Sequence, residues 1–306
     1  MKLTKEQKRV KRRYRLIKKL IASAVILAIG LFVLLTGTDP SQAPKPIGEN
    51  EAFFHFIDVG QGDAALIRTA EGHILIDAGT VVSEDILKAC LDSLGVTELE
   101  YAVFTHPHED HIGGADMVLG HFDVKRVVIA HRPEDAALWS PVIRAASANA
   151  CEILYATPDM TFRVGDLTCT ILAPLRTSYT EENNAGIVLR ADFGETSALF
   201  MGDAEEDAET DLLAHYGTSS GGLLDCDLIK VAHHGANTSS GKKFLEAVTP
   251  IHAVISCGKG NSHGHPEQSV LARYQAVQAQ LHRTDLEGNL VFSSDGKKLQ
   301  KVDTPA

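Results

Sequence analysis

"FTHPHEDHIGG" (Phe104–Gly114) sets His106, His108 and His111 among Glu109 and Asp110 and ends on two glycines. The apolar "YAVF" before it reads as a buried strand. In the extended segment that follows, His106 and His108 project to the same side. Asp110 and His111 open the next helix. Two nitrogens then face one point, and a carboxylate with a third nitrogen faces a neighbouring one. That suits two closely spaced metal ions. Neutral imidazole and carboxylate are ordinary ligands for zinc, manganese and iron. A strand before the cluster and Gly113-Gly114 after it are what a site at the carboxyl edge of a sheet requires.

Working outward, "FFHFIDV", "ALIRT" and "HILIDAG" read as strands around the turn "GQGDA", and "EDILKACLDSLG" as a helix ending at Gly95. "GGADMVLGHF" begins a short helix. "VKRVVIA", "CEILYA", "TCTILAP", "GIVLRADF" and "SALFMGD" are further strands. Next come the acidic helix "AEEDAETDLLAHYG", the strand "DLIKVAHHG", a helix from about Ser240 and the strand "HAVISCG". A helix "PEQSVLARYQAVQAQL" and a hairpin near 282–301 complete the chain. Mixed strands and helices without a repeat predict a layered α/β domain.

The 306 residues, 44% hydrophobic and 23% charged, are enough for a large buried core. Residues 1–19 carry ten basic groups and one acid. The other 287 carry 19 basic and 39 acidic, a net of −20. So acidic a domain disfavours broad binding to duplex nucleic acid. The apolar run 20–37 is long enough for a transmembrane signal anchor. The basic 1–19 flank then stays in the cytoplasm and the rest of the chain lies outside. Cleavage of a signal peptide after Ala43 is the alternative. Residues 38–51 read as a linker and 52–306 as the functional domain. Five scattered cysteines without a CxxC pair support neither a disulfide framework, a disulfide-linked partner nor a zinc knuckle.

HxHxDH after a strand resembles the metallo-β-lactamase superfamily. "FIDVGQGDAALIRTAEGHILIDAG", "NNAGIVLR", "LFMGDAE", "LIKVAHHGANTSS", "SCGKGNSHGHPEQSVL" and "RTDLEGNLVFSSDG" look like the metallo-β-lactamase domain of the ComEC competence family, in that family's order, across 53–297. The resemblance implies an αββα sandwich, here preceded by one transmembrane helix, and two divalent ions, zinc or manganese. It also implies roles. Asp77 braces the site. His106 and His108 bind one metal, and Asp110 and His111 the other. Asp203 bridges both. His233 or His234 completes the second site, His233 being preferred because it stands at the strand end. Asn183 and Asn184 occupy the place of a further histidine ligand, and no histidine lies between Arg132 and Asp203. A first site poorer in nitrogen has room for manganese. His265 is the candidate proton donor to the leaving group. Asn237, Ser239 and Ser240 supply groups to hold a phosphate oxygen, or cap the next helix. Asp58 and Asp63 read as turn formers. His55, His73, His121, His131, His215, His252 and His282 read as surface or satisfied core residues.

The implied chemistry is hydrolysis. The ion pair lowers the pKa of a shared water, Asp110 orients the resulting hydroxide, and it attacks a phosphodiester. A phosphodiester outside the membrane is the leading substrate class, with DNA favoured by the resemblance and single strands one form of it. An envelope phosphoesterase of phosphocholine type, or a lactone or ester hydrolase, is the alternative within the enzyme class. A non-catalytic surface binding domain is the alternative outside it. With a single apolar span, a role in DNA uptake would need a separate pore.

Overall fold

The computed structural model describes residues 47–130, 135–217 and 221–302. The basic segment 1–19, the apolar run 20–37, most of the 38–51 linker, and His131 lie outside the described residues. Among the described residues no helix is long and apolar enough to cross a membrane.

The first half builds β1 (Ala52–Phe56), β2 (Ala65–Thr69), β3 (Gly72–Ile76), α1 (Glu84–Ser93), β4 (Glu98–Phe104), α2 (Glu109–Ile112), α3 (Ala115–His121), β5 (Asp123–Ile129), α4 (Ala136–Ala148) and β6 (Glu152–Tyr155). The second half builds β7 (Thr161–Val164), β8 (Leu167–Ala173), β9 (Val188–Phe193), β10 (Thr196–Phe200), α5 (Glu206–Tyr216), β11 (Leu228–Lys230), α6 (Lys242–Val248), β12 (His252–Ile255), α7 (Gln268–Ala276), β13 (Gln280–Arg283), α8 (Thr284–Glu287), β14 (Leu290–Ser294) and β15 (Leu299–Val302). One sheet runs β15-β14-β1-β2-β3-β4-β5-β6, the other β13-β12-β11-β10-β9-β8-β7.

Alternation along each strand sorts its side chains into layers. In β2, Ala65 and Ile67 face the core between the sheets while Leu66 faces outward. Phe54, Phe56, Val103, Leu189 and Phe200 fill that central layer. The Phe56 and Phe200 rings stack across it with centroids 5.8 Å apart. On the outer face of the first sheet, Leu66, Leu75 and Phe104 pack against Leu87, Val118 and Trp139 from α1, α3 and α4. On the second, Leu199, Ile229 and Ile255 pack against Leu212, Phe244 and Tyr274 from α5, α6 and α7. The result is the expected four-layer αββα arrangement.

Three local readings differ from the sequence expectation. The helix α4 contains Pro141, which removes a backbone donor and masks its helical signal. The strand β7 is an edge strand with Thr161 and Arg163 exposed, so it lacks the apolar run that marks the others. The helix expected to run on to Leu281 stops at Ala276, because Gln278 turns the chain at φ +61° and Gln280–Arg283 pairs in parallel with β12.

Strands β3, β4 and β5 are parallel in one sheet, and β10, β11 and β12 in the other. Their carboxyl ends meet on one edge, where Asp77, His106, Asp203 and His233 each follow a strand within three residues. The loops interlock through their backbones. Asp63 N–H donates to the Asp110 carbonyl, Ala78 N–H to that of His111, and His233 N–H to that of Gly202. Gly113 and Gly114 permit this closeness, since a Cβ at Gly113 would lie 2.3 Å from Val81 N and one at Gly114 2.5 Å from Ala78 O. Gly113→Ala is expected to cost about 1–3 kcal/mol, read as a lower urea midpoint at unchanged slope; an unchanged midpoint would show that the loops tolerate separation.

Candidate metal centre

Thr105 and His106 leave β4 side by side, and Asp77 leaves the neighbouring β3. The Asp77 carboxylate accepts the Thr105 N–H at 2.7 Å, the Thr105 hydroxyl at 2.8 Å and His111 Nδ1–H at 2.8 Å. With its proton on Asp77, the Thr105 oxygen accepts from His106 Nδ1 at 3.1 Å. His234 Nδ1–H donates to the Ser256 carbonyl at 3.0 Å. The network thus places a hydrogen on Nδ1 of all three rings, turning Nε2 of His111 and His234 toward one centre and that of His106 toward a neighbouring one.

Around that centre His111 Nε2 lies 3.2 Å from Asp203 Oδ1, and His234 Nε2 lies 3.2 Å from Asp110 Oδ2 and 3.7 Å from Asp203 Oδ1. None of His111 Nε2, Asp203 Oδ1 and His234 Nε2 forms a hydrogen bond, and all are buried. Donor atoms crowded together without bonding one another fit a divalent ion between them. Asp110, His111, Asp203 and His234 are near enough to share one. Beside them, His106 Nε2 faces His108 Nδ1 at 3.1 Å and Asp203 Oδ2 at 3.8 Å. Asp203 thus points one oxygen at each group.

The remaining expected residues divide. His234, rather than the preferred His233, joins Asp110, His111 and Asp203. Both adopt left-handed backbone, φ 49° and 52°, so successive side chains leave in different directions. His233 turns Nδ1 to Glu205 at 3.0 Å and keeps Nε2 3.8 Å from Asp203. Asn184 is not available as a ligand: its Oδ1 accepts the N–H groups of Glu205 and Ala208 and caps α5. Asn183 donates Nδ2 to Glu205, while its Oδ1 is buried without a partner. Ser239 donates its hydroxyl to the Ala204 carbonyl, and the Ser240 hydroxyl bonds Tyr274. The amide of Ser240, expected to hold a phosphate, donates instead to the Glu209 carboxylate, as does that of Gly241. Asn237 Oδ1 accepts from Ser269 and Arg273.

His265 packs its ring against His233, centroids 5.6 Å apart. Burial and the neighbouring His233 lower its pKa. A ring neutral at pH 7 serves as a hydrogen-bond donor to substrate better than as a standing acid.

Two residues went unread in the sequence. Asp63, taken as a turn former, is buried behind the site, with Oδ2 2.8 Å from Lys230 Nζ and Oδ1 3.2 Å from His234 Nδ1. Lys230 is itself buried and also donates to the Val231 carbonyl. The signal was the lone lysine inside the apolar strand "DLIKVA". Asp63, Asp77 and His111 also stand close enough to share an ion, but Lys230 and the His111 Nδ1–H supply the positive partners there. Away from the site, His55 is a core histidine whose Nε2 has no partner, and burial, aided by Arg68, lowers its pKa to about 3.

The charges are tightly coupled. Burial alone would raise the Asp203 carboxyl, but His111 and His234 hold it well below the usual range. Burial would lower both imidazoles. The carboxylates prevail, raising His111 well above its ordinary value and His234 to about 10. The same carboxylates that favour protonated imidazoles would also favour an ion at these nitrogens, so ion binding competes with protons there. The stabilisation His234 gives the ion-free fold is full below about pH 6.5 and lost as pH rises through about 10. Ion affinity should accordingly rise with pH over that interval. Calorimetric titration with manganese at pH 7 in buffers of different ionisation enthalpy should show net proton release; no release would contradict this competition.

The Metallo-beta-lactamase superfamily model matches residues 57–259. The chain is 33% identical over 273 residues to "Competence protein ComA" of Neisseria gonorrhoeae, covering 88% of this chain and 36% of that protein. It is 29% identical over 269 residues to "ComE operon protein 3" of Bacillus subtilis (strain 168), covering 81% and 34%. The chain thus spans about a third of the length of these relatives. In structure it resembles CmlA, a diiron β-hydroxylase from Streptomyces venezuelae, with TM-score 0.55 and 12% identity over 90% of this chain and 59% of that one. That likeness concerns the fold alone. By sequence match and by architecture, this chain belongs to the metallo-β-lactamase superfamily.

Proposed function

We propose that the chain is a metal-dependent phosphodiesterase acting on single-stranded DNA outside the cytoplasmic membrane, held there by the apolar segment 20–37. One observation carries the chemistry: the buried Nε2 and carboxylate lone pairs of His111, His234 and Asp203 face one another with no hydrogen bond among them. The competence proteins among its relatives support nucleic acid as the substrate class.

Asp110, His111, Asp203 and His234 would hold one ion, and His106, His108 and Asp203 the other, with the unpartnered Asn183 Oδ1 available to the second set. Divalent ions there, zinc or manganese, supply Lewis acidity toward a phosphoryl oxygen and activate water. The protein supplies the rest. Asp77 and Thr105 lock the His106 and His111 tautomers, and Ser256 locks that of His234. Asp110, about a third exposed, can orient water beside the scissile bond. His265 donates a hydrogen bond to the leaving side. Asp203, with one oxygen toward each set, would serve both ions.

The net charge of −20 outside residues 1–19 favours one second reading, a small envelope phosphoester as substrate. The full chain, assayed with manganese on a single-stranded oligonucleotide and on bis-p-nitrophenyl phosphate, separates the two. Cleavage of both is expected, and cleavage of the small diester alone would defeat the DNase reading. Asp110→Ala should lower both activities more than about 100-fold with an unchanged circular dichroism spectrum; full activity in that variant would remove Asp110 from the site.

A further inference from the structure

We infer that the loop Gly258–His265 is a stacking subsite for a nucleobase of a single-stranded nucleic acid, with the His263 ring as its outer platform. This rests on the phosphodiester reading above and extends it to how the strand is held.

The loop is fixed at both ends. Gly258 N–H donates to Gln61 Oε1 at 3.0 Å, tying the loop to the "GQGD" turn that backs the metal centre. Asn261 closes it on itself. Its Nδ2 donates to the carbonyls of Gly258 at 2.9 Å and His265 at 2.6 Å, and its Oδ1 accepts the His265 N–H at 3.0 Å. A loop so pinned presents its side chains without further ordering, which lowers the entropy cost of binding.

It presents a row of rings leading out of the site. His233, whose Nε2 is 3.8 Å from Asp203, meets His265 edge-on at 5.6 Å. His265 lies nearly parallel to His263, 28° between planes and 5.6 Å between centroids. His263 is exposed and His265 half-buried, so the outer face of the row opens to solvent beside the metal centre.

Two further observations favour stacking over charge. With a net charge of −20 outside residues 1–19, the chain gains little there from the phosphate backbone, leaving base faces as the main source of affinity. Among the described residues, the one large exposed aromatic is Tyr155, at the end of the edge strand β6. Imidazole faces are the rings the site itself offers, and unstacked bases of single strands pack on histidine as on other aromatics.

The test uses the full chain with manganese and compares wild type, His263→Ala and His263→Phe. Binding of a fluorescent single-stranded oligonucleotide is followed by anisotropy, and hydrolysis of bis-p-nitrophenyl phosphate in parallel. His263→Ala should weaken oligonucleotide binding about 10-fold and leave the small diester's kinetics unchanged, while His263→Phe stays within about twofold of wild type. Equal binding by wild type and His263→Ala would overturn the inference. So would equal loss in both variants, which would point to charge or hydrogen bonding, and so would no binding by wild type. Wild type that binds the oligonucleotide through His263 yet does not cleave it would defeat the DNase reading and leave the subsite standing.

Discussion

Asp77 holds the metal centre together from behind. Its carboxylate receives three donors, two from Thr105 and one from His111, and through the Thr105 hydroxyl it reaches a third residue, His106. A neutral imidazole binds metal through whichever nitrogen lacks hydrogen, so fixing the hydrogen fixes the ligand atom. Asp77 itself is held in a left-handed conformation, φ 58°, by its position just after β3 and by its N–H bond to Val103 of β4. The pairing of two adjacent parallel strands thereby dictates which lone pairs face the ions.

Charge balance is the second constraint. Asp63, Asp77, Asp110 and Asp203 gather around the site, and Lys230 is the one buried ammonium among them, paired with Asp63 at 2.8 Å. With neutral imidazoles these groups leave three negative charges. Two divalent ions would offset that charge. The inner cluster can stay buried because Lys230 compensates Asp63, which in turn supports His234. Breaking such a buried pair by removing one partner is costly.

Much of this was legible in the sequence, for identifiable reasons. A layered α/β domain followed from apolar strands alternating with helices, and the αββα order from the resemblance to the metallo-β-lactamase superfamily. His106, His108, Asp110 and His111 announced themselves by spacing, while Asp77 and Asp203 were marked by the family resemblance. What stayed hidden depends on contacts between distant segments. Nothing local distinguishes His233 from His234; the two left-handed residues at the end of β11 decide which ring turns inward. Ser240 and Gly241 look ready for a phosphate until Glu209, about thirty positions earlier, takes their amides. Asn184 looks like a ligand until α5 folds onto it. Lys230 looked like one charge in an apolar run, and only its pairing with Asp63 across the two sheets gives it meaning.

The central claim is that side chains from both sheets converge to hold divalent ions. Crystals of the protein soaked in manganese and measured at the manganese edge test it directly. The account predicts an anomalous peak within bonding distance of His111 Nε2, His234 Nε2, Asp110 and Asp203, with a second one beside His106 and His108. Anomalous density confined to exposed acidic groups, with none beside Asp203, would contradict it.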